Sequence, residues 1–200
     1  MLTGLYTVKS DVDPVVYGEE NGRRAYEALE VLLKDDASGF KQYTRGELQA
    51  LFDFRSKDTI MSFEDFARVE RRKAFQGMFD GADYFIRFVK EWSQVREQYG
   101  DVCYKNSGHA KITATIADSR NSLFTPCTYN VENVQVAFGP KLLPMKEITS
   151  FRGRFCEQAT VGEAITAQGK VELVADRRDS SEYYRLILGN KPEDYMVLSH

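Results

Sequence analysis

Three sets of residues in this 200-residue sequence have the types and spacing to do chemistry. The first is the pair Asp11 and Asp13 in Ser10-Asp11-Val12-Asp13-Pro14-Val15-Val16-Tyr17-Gly18. On a strand, alternate residues share a face, which sets the two carboxylates side by side at roughly 6–7 Å. Like charges held that close repel unless a cation lies between them. Mg²⁺ (or Mn²⁺), binding oxygen ligands at about 2.0–2.1 Å for magnesium, meets that need. The plainer alternative is that both acids face solvent from a surface turn. The second set is the basic run Arg68, Arg71, Arg72 and Lys73. It suits either a contact to the phosphates of a nucleotide or polynucleotide, or a solvated helix face pairing with Glu64 and Glu70. The third is Phe151-Arg152-Gly153-Arg154-Phe155, where aromatic and basic residues interleave. At strand spacing Arg152 and Arg154 point one way and the phenylalanines the other. That places the arginines either in water or on a nucleic-acid-facing strip.

The elements that must position these groups follow from periodicity. The acidic strand is followed by a helix from Asn21 to about Lys34, with Ala25, Ala28, Leu29, Leu32 and Leu33 as its apolar stripe. A shorter helix is expected over Thr44–Phe54. Ser62 with Asp65 offers a capping-box-like start to a third, from Phe63 to about Phe79. Asp80-Gly81-Ala82 turns the chain into a strand over Asp83–Val89. From Cys103 onwards the pattern changes to period two. Ala110, Ile112, Ala114 and Ile116 share one face of a strand, and Ile165, Ala167, Gly169, Val171 and Leu173 one face of another. Further strands are expected at Tyr129–Val136, Ile148–Cys156 and Glu182–Leu188, with Leu123–Cys127 as a packed corner. The expected class is α+β in two domains: a mixed α/β part over residues 1–102, then a mostly antiparallel, barrel-like β domain over residues 103–200.

Composition narrows the function classes. With 42% apolar and 28% charged residues, the chain can bury a core and is not a disordered tail. A net charge of −3 argues against a general nucleic-acid coat but leaves room for a local basic patch. No apolar run approaches the ~20 residues that span a bilayer, and no apolar signal core follows a charged amino terminus. The expectation is a cytoplasmic protein without a membrane partner. Cys103, Cys127 and Cys156 are far apart and odd in number, and only His109 and His200 accompany them. Reduced, mostly buried thiols explain them better than a Cys₃His zinc site.

The acidic strand, its glycine turn and the helix that follows resemble the catalytic segment of the polymerase-beta-type nucleotidyltransferases, in particular an archaeal type with an extra carboxy-terminal domain. Tyr84-Phe85-Ile86-Arg87, Leu123–Cys127 and Ser150–Gln158 add to the likeness. The resemblance implies transfer of a nucleoside monophosphate from an NTP to an acceptor hydroxyl on RNA, DNA, a protein or a small molecule. It implies Asp11 and Asp13 as ligands of two divalent ions, with Asp83 as the candidate third carboxylate. Two features depart from the pattern. The family's Gly-Ser pair, which belongs to the loop holding the nucleotide's phosphates, would fall before Met1. Pro14 fills a position usually aliphatic and removes a ladder donor. The expectation is therefore a weak or inactive transferase, the alternative being a non-catalytic nucleic-acid- or partner-binding module on the same scaffold. A third reading is that Met1 is internal to a longer protein.

Overall fold

The computed structural model describes residues 13–55, 60–140 and 144–199. Its first element is a short strand, β1 (Val15–Tyr17), which lies parallel to β5 (Arg87–Val89) with Val15 opposite Arg87. Gly18, at φ 94°, turns the chain into helix α1 (Glu19–Leu32), whose first turn carries Glu19 and Glu20. Acidic side chains there complement the positive end of the helix dipole. The second helix, α2 (Arg45–Arg55), opens on a reciprocal cap. The Thr44 amide and hydroxyl donate to Glu47 Oε2, and the Glu47 amide donates to Thr44 Oγ1. Helix α3 (Phe63–Glu70) starts as its sequence indicates, with Ser62 Oγ accepting from the Asp65 amide at 3.1 Å.

That third helix stops at Glu70, nine residues short of the expected end at Phe79. The residues beyond it form β3 (Gln76–Phe79), held between β2 (Phe40–Lys41) and β4 (Ala82–Phe85) in an antiparallel sheet. Long-range pairing and the burial of Phe75 and Gln76 override a local helical pattern. Asp80 and Gly81, both at positive φ, make the two-residue turn from β3 to β4. The strand expected over Asp83–Val89 is broken at Ile86, whose amide donates to Phe75 O at 2.8 Å.

The remainder is a barrel. Strands β6 (Val102–Asn121), β7 (Cys127–Phe138), β8 (Met145–Ser150), β9 (Ala164–Asp176), β10 (Ser181–Leu188) and β11 (Tyr195–Leu198) pair in the order β10-β8-β7-β6-β9-β11. A further β10–β9 pairing closes five of them into a ring, with β11 added along β9. The β8–β10 pair is parallel and the others are antiparallel. Closure leaves the five ring strands without an open edge over their paired length. As the period-two pattern requires, Ala110, Ile112, Ala114 and Ile116 face the interior. In β9 the alternation slips after Val171, so that Val174 rather than Leu173 is buried. With helices beside a mixed sheet, the chain is α+β.

One apolar core runs through both halves, gathering Leu29, Phe75, Tyr84 and Phe88 with Ile112, Phe124, Ile148 and Phe155. Leu123 and Phe124 are buried in a corner between β6 and β7, as expected of them. Phe124 bridges Phe88 of β5, and the Thr125 amide donates to Phe88 O at 2.9 Å. The sheets of the first half remain separate from the barrel sheet.

Candidate anion-binding pocket

The arginines of the Phe151–Phe155 segment stand at a cavity of about 400 Å³. Its walls include Arg55, Arg87, Arg152, Arg154 and Lys191, together with Phe85 and the backbone of Gly153 and Gly189. The cations come from four places in the chain: the last residue of α2, the first of β5, the turn after β8 and the loop after β10. Strand β8 ends at Ser150, earlier than the expected Cys156, and Gly153–Phe155 form a single 3₁₀ turn. The expected split of the segment into two faces is therefore corrected. Phe155 is buried and Phe151 exposed, while Arg152 and Arg154 reach the same cavity.

Each wall is fixed by its own bonds. Ser150 Oγ donates to Leu188 O at 2.9 Å and accepts from the Arg152 amide at 3.1 Å, tying the turn after β8 to the end of β10. Tyr129, at the heart of the barrel, donates its hydroxyl to Phe155 O at 2.6 Å and accepts from the Gln158 amide. Asp194 is fully buried, and its Oδ2 accepts from the amides of Asn190 and Lys191, which presents Lys191 to the cavity. Two glycines allow the walls to close. A Cβ at Gly189, where φ is +86°, would stand 2.7 Å from Arg152 Cγ, and one at Gly153 would stand 2.8 Å from the Phe85 ring.

Beneath the cavity lies the carboxylate of Glu70, at the end of α3. It accepts from Lys73 Nζ at 2.5 Å, from Arg55 Nη1 at 3.1 Å and from the Gln76 side-chain amide. Lys73 in turn donates to Arg154 O at 2.7 Å. Burial pushes the Glu70 carboxyl upward, but the cations Lys73 and Arg55 outweigh it and hold the group below its usual range. Glu70 is thus a buried charge with its countercharges in place.

The predicted basic run is divided by this packing. Lys73 is enclosed, its side chain 0% exposed, and is committed to Glu70 and Arg154 O. Arg72 lies across the Glu163 carboxylate at 3.0 Å and reaches Thr160, pinning α3's end to the barrel. Arg68 lies 3.9 Å from Asp65, and Arg71 is exposed. None of the four lines the pocket.

Of the acidic candidates, Asp11 lies outside the described residues. Asp13 is exposed and precedes β1, two residues before the start of that strand. Because β1 and β5 run parallel from Val15 and Arg87, and Pro14 O accepts from the Arg87 amide, Asp13 comes in at the pocket end of the pair. Asp83 lies on β4, in the three-stranded sheet, where it accepts from Tyr43 Oη at 2.9 Å. Burial, and then the bond to Asp83, raise the Tyr43 hydroxyl well above its ordinary value. Among the described residues no three His, Cys, Asp or Glu side chains are gathered as a metal ion requires. Those residues alone therefore do not complete the divalent-cation site that the resemblance implies. Cys127 and Cys156 are buried and Cys103 is exposed, so one of the three thiols is not in the core.

A larger depression, of about 660 Å³, lies over the β2–β3 region. It is lined by three carboxylates, Asp36, Glu47 and Asp80, with one cation, Lys41, and so is not a site for an anion. The contribution of Arg55, Arg87 and Lys191 to the basic pocket escapes a sequence reading, because no period or motif links residues so far apart.

No family model matches the chain, and no solved structure matches it. The uncharacterized protein MJ1086 of Methanocaldococcus jannaschii is 30% identical over 195 residues, covering 98% of this chain and 55% of that protein. The chain spans about half the length of this curated relative. Among the described residues no helix is long and apolar enough to cross a membrane.

Proposed function

We propose that the pocket holds the phosphates of a nucleoside triphosphate, and that the protein is a metal-dependent nucleotidyltransferase. The observation that carries this reading is the convergence of Arg55, Arg87, Arg152, Arg154 and Lys191 on one cavity, at the end of the β1–β5 pair where Asp13 enters. Guanidinium groups fork onto phosphate oxygens, and several together balance the negative charge of a triphosphate. Phosphoryl transfer asks of the protein mainly that positioning and charge balance. The arginine-lined pocket offers a way to hold phosphates other than the backbone loop of the resembled family. Asp11 and Asp13 are the proposed ligands of Mg²⁺ or Mn²⁺, and the acceptor is a hydroxyl of RNA, DNA or a protein.

A second reading is a polyanion-binding module without transferase activity. It asks only for the basic pocket itself. The barrel adds to it: with its third and fifth strands parallel and the other ring pairs antiparallel, it has the pairing pattern of an OB-fold, an architecture that serves oligonucleotide binding elsewhere.

The test is titration of the protein with ATP and GTP, followed by transfer of α-³²P-labelled nucleotide to RNA and protein acceptors with Mg²⁺ or Mn²⁺ present. Under the first reading Arg152→Ala weakens NTP binding, while Asp13→Asn abolishes transfer and leaves NTP bound. Binding without transfer selects the second reading. Failure of the wild-type protein to bind triphosphate overturns the first reading, and failure to bind an oligonucleotide as well overturns the second.

A further inference from the structure

The pocket's cations stand on four separate segments, and two of its walls share one support. Arg55 leaves α2 and meets Glu70 Oε2, while Glu70 Oε1 holds Lys73, whose ammonium caps Arg154 O. The side chains of Glu70 and Lys73 are 3% and 0% exposed, so neither reaches a ligand. A buried charge pair costs desolvation and is a weak source of stability compared with apolar packing. What this pair does is fix a distance: it couples the Arg55 wall to the Arg152–Arg154 turn through a chain of three charge-assisted bonds.

Resting on the phosphate-binding reading above, we infer that Glu70 and Lys73 are positioning residues that space the two walls for a chain of phosphates rather than a single phosphate. One forked guanidinium group can clasp an isolated phosphate by itself. A cavity of about 400 Å³ with cations from separate segments suits a longer anion that touches several walls at once. Binding of such an anion depends on the spacing of the walls, whereas binding of orthophosphate to one wall does not. The polyphosphate is thus recognised by its length, and the ruler lies out of its reach beneath the pocket.

The probes are inorganic tripolyphosphate and orthophosphate, titrated calorimetrically into the full chain and into Lys73→Met. Methionine replaces the lysine stem atom for atom up to Cε, removes only the ammonium, and leaves Glu70 with Arg55 and Gln76. The expected result is about tenfold weaker tripolyphosphate binding, from the lost alignment of charged hydrogen bonds, with orthophosphate affinity unchanged. Faster hydrogen exchange at the amides of Phe155 and Cys156, which close the 3₁₀ turn, accompanies it in the absence of any ligand. Gln76→Met, which removes the Glu70 partner whose side chain bonds neither Arg55 nor the Arg152–Arg154 turn, leaves the affinity ratio as in the wild type. If Lys73→Met does not fold, Glu70→Asp withdraws the carboxylate while keeping its charge and must lower the same ratio. An unchanged ratio in the folded variant overturns the positioning role alone. A wild-type protein that binds neither anion overturns the phosphate-binding reading and this inference with it.

Discussion

Replacing Gly189 with alanine tests how the pocket is assembled. Gly189 follows β10 at φ +86°, and an added Cβ would stand 2.7 Å from Arg152 Cγ and 3.1 Å from Phe155 Cε2. The left-handed backbone costs an alanine about 1–2 kcal/mol. Phe155 is 1% exposed and cannot retreat, so overpacking against it adds about 1–3 kcal/mol. Together these amount to about 2–5 kcal/mol, a fall in Tm of roughly 4–20 °C for a chain of this size. The Arg152 stem is exposed and does retreat, which takes its guanidinium out of the cavity. A charge-assisted hydrogen bond is worth about 1.5–3 kcal/mol, so tripolyphosphate binding should weaken roughly 10–150-fold in Gly189→Ala. Arg152→Ala should lose about as much with little change in Tm, and the double variant should bind no worse than the weaker single. Calorimetric titration of all four proteins closes the cycle. If the two losses multiply instead, Gly189 does not act through Arg152 and the account of this wall is wrong.

Two further outcomes follow from the same neighbourhood. Tyr129→Phe leaves Phe155 O and the Gln158 amide without their buried partner, which should cost about 1–3 kcal/mol and show as a lower midpoint in urea unfolding. An unchanged midpoint would mean that the hydroxyl does not hold the turn. Glu157→Gln should raise Tm at neutral pH, because burial pushes the Glu157 carboxyl upward despite the bond it accepts from Ser122. A carboxyl with a raised folded-state value favours the fold fully below its ordinary 4.5, and that contribution is lost as pH rises through the folded value. The gain from glutamine should therefore shrink as the pH is lowered through the folded value and be gone below 4.5, and a gain that is the same at pH 4 and pH 7 would refute the assignment.

What the sequence determined by itself is local. Ser62 and Asp65 mark the start of α3, Asp80-Gly81 marks a turn, and the alternation from Ala110 to Ile116 marks a strand with one face inside. Each depends on neighbours within a few residues, where cap geometry, backbone φ and period leave direct traces. The end of α3 was not legible, because Gln76–Phe79 becomes a strand through partners at Phe40–Lys41 and Ala82–Phe85. The basic run Arg68–Lys73 looked like one surface, yet two carboxylates divide it: buried Glu70 takes Lys73 inward and half-buried Glu163, some ninety residues on, takes Arg72. Only the tertiary structure brought Arg55, Arg87 and Lys191 to Arg152 and Arg154. A pocket made of single residues from a helix end, a strand start and two loops has no period, because its spacing is set by how the helical part packs on the barrel and not by distance along the chain.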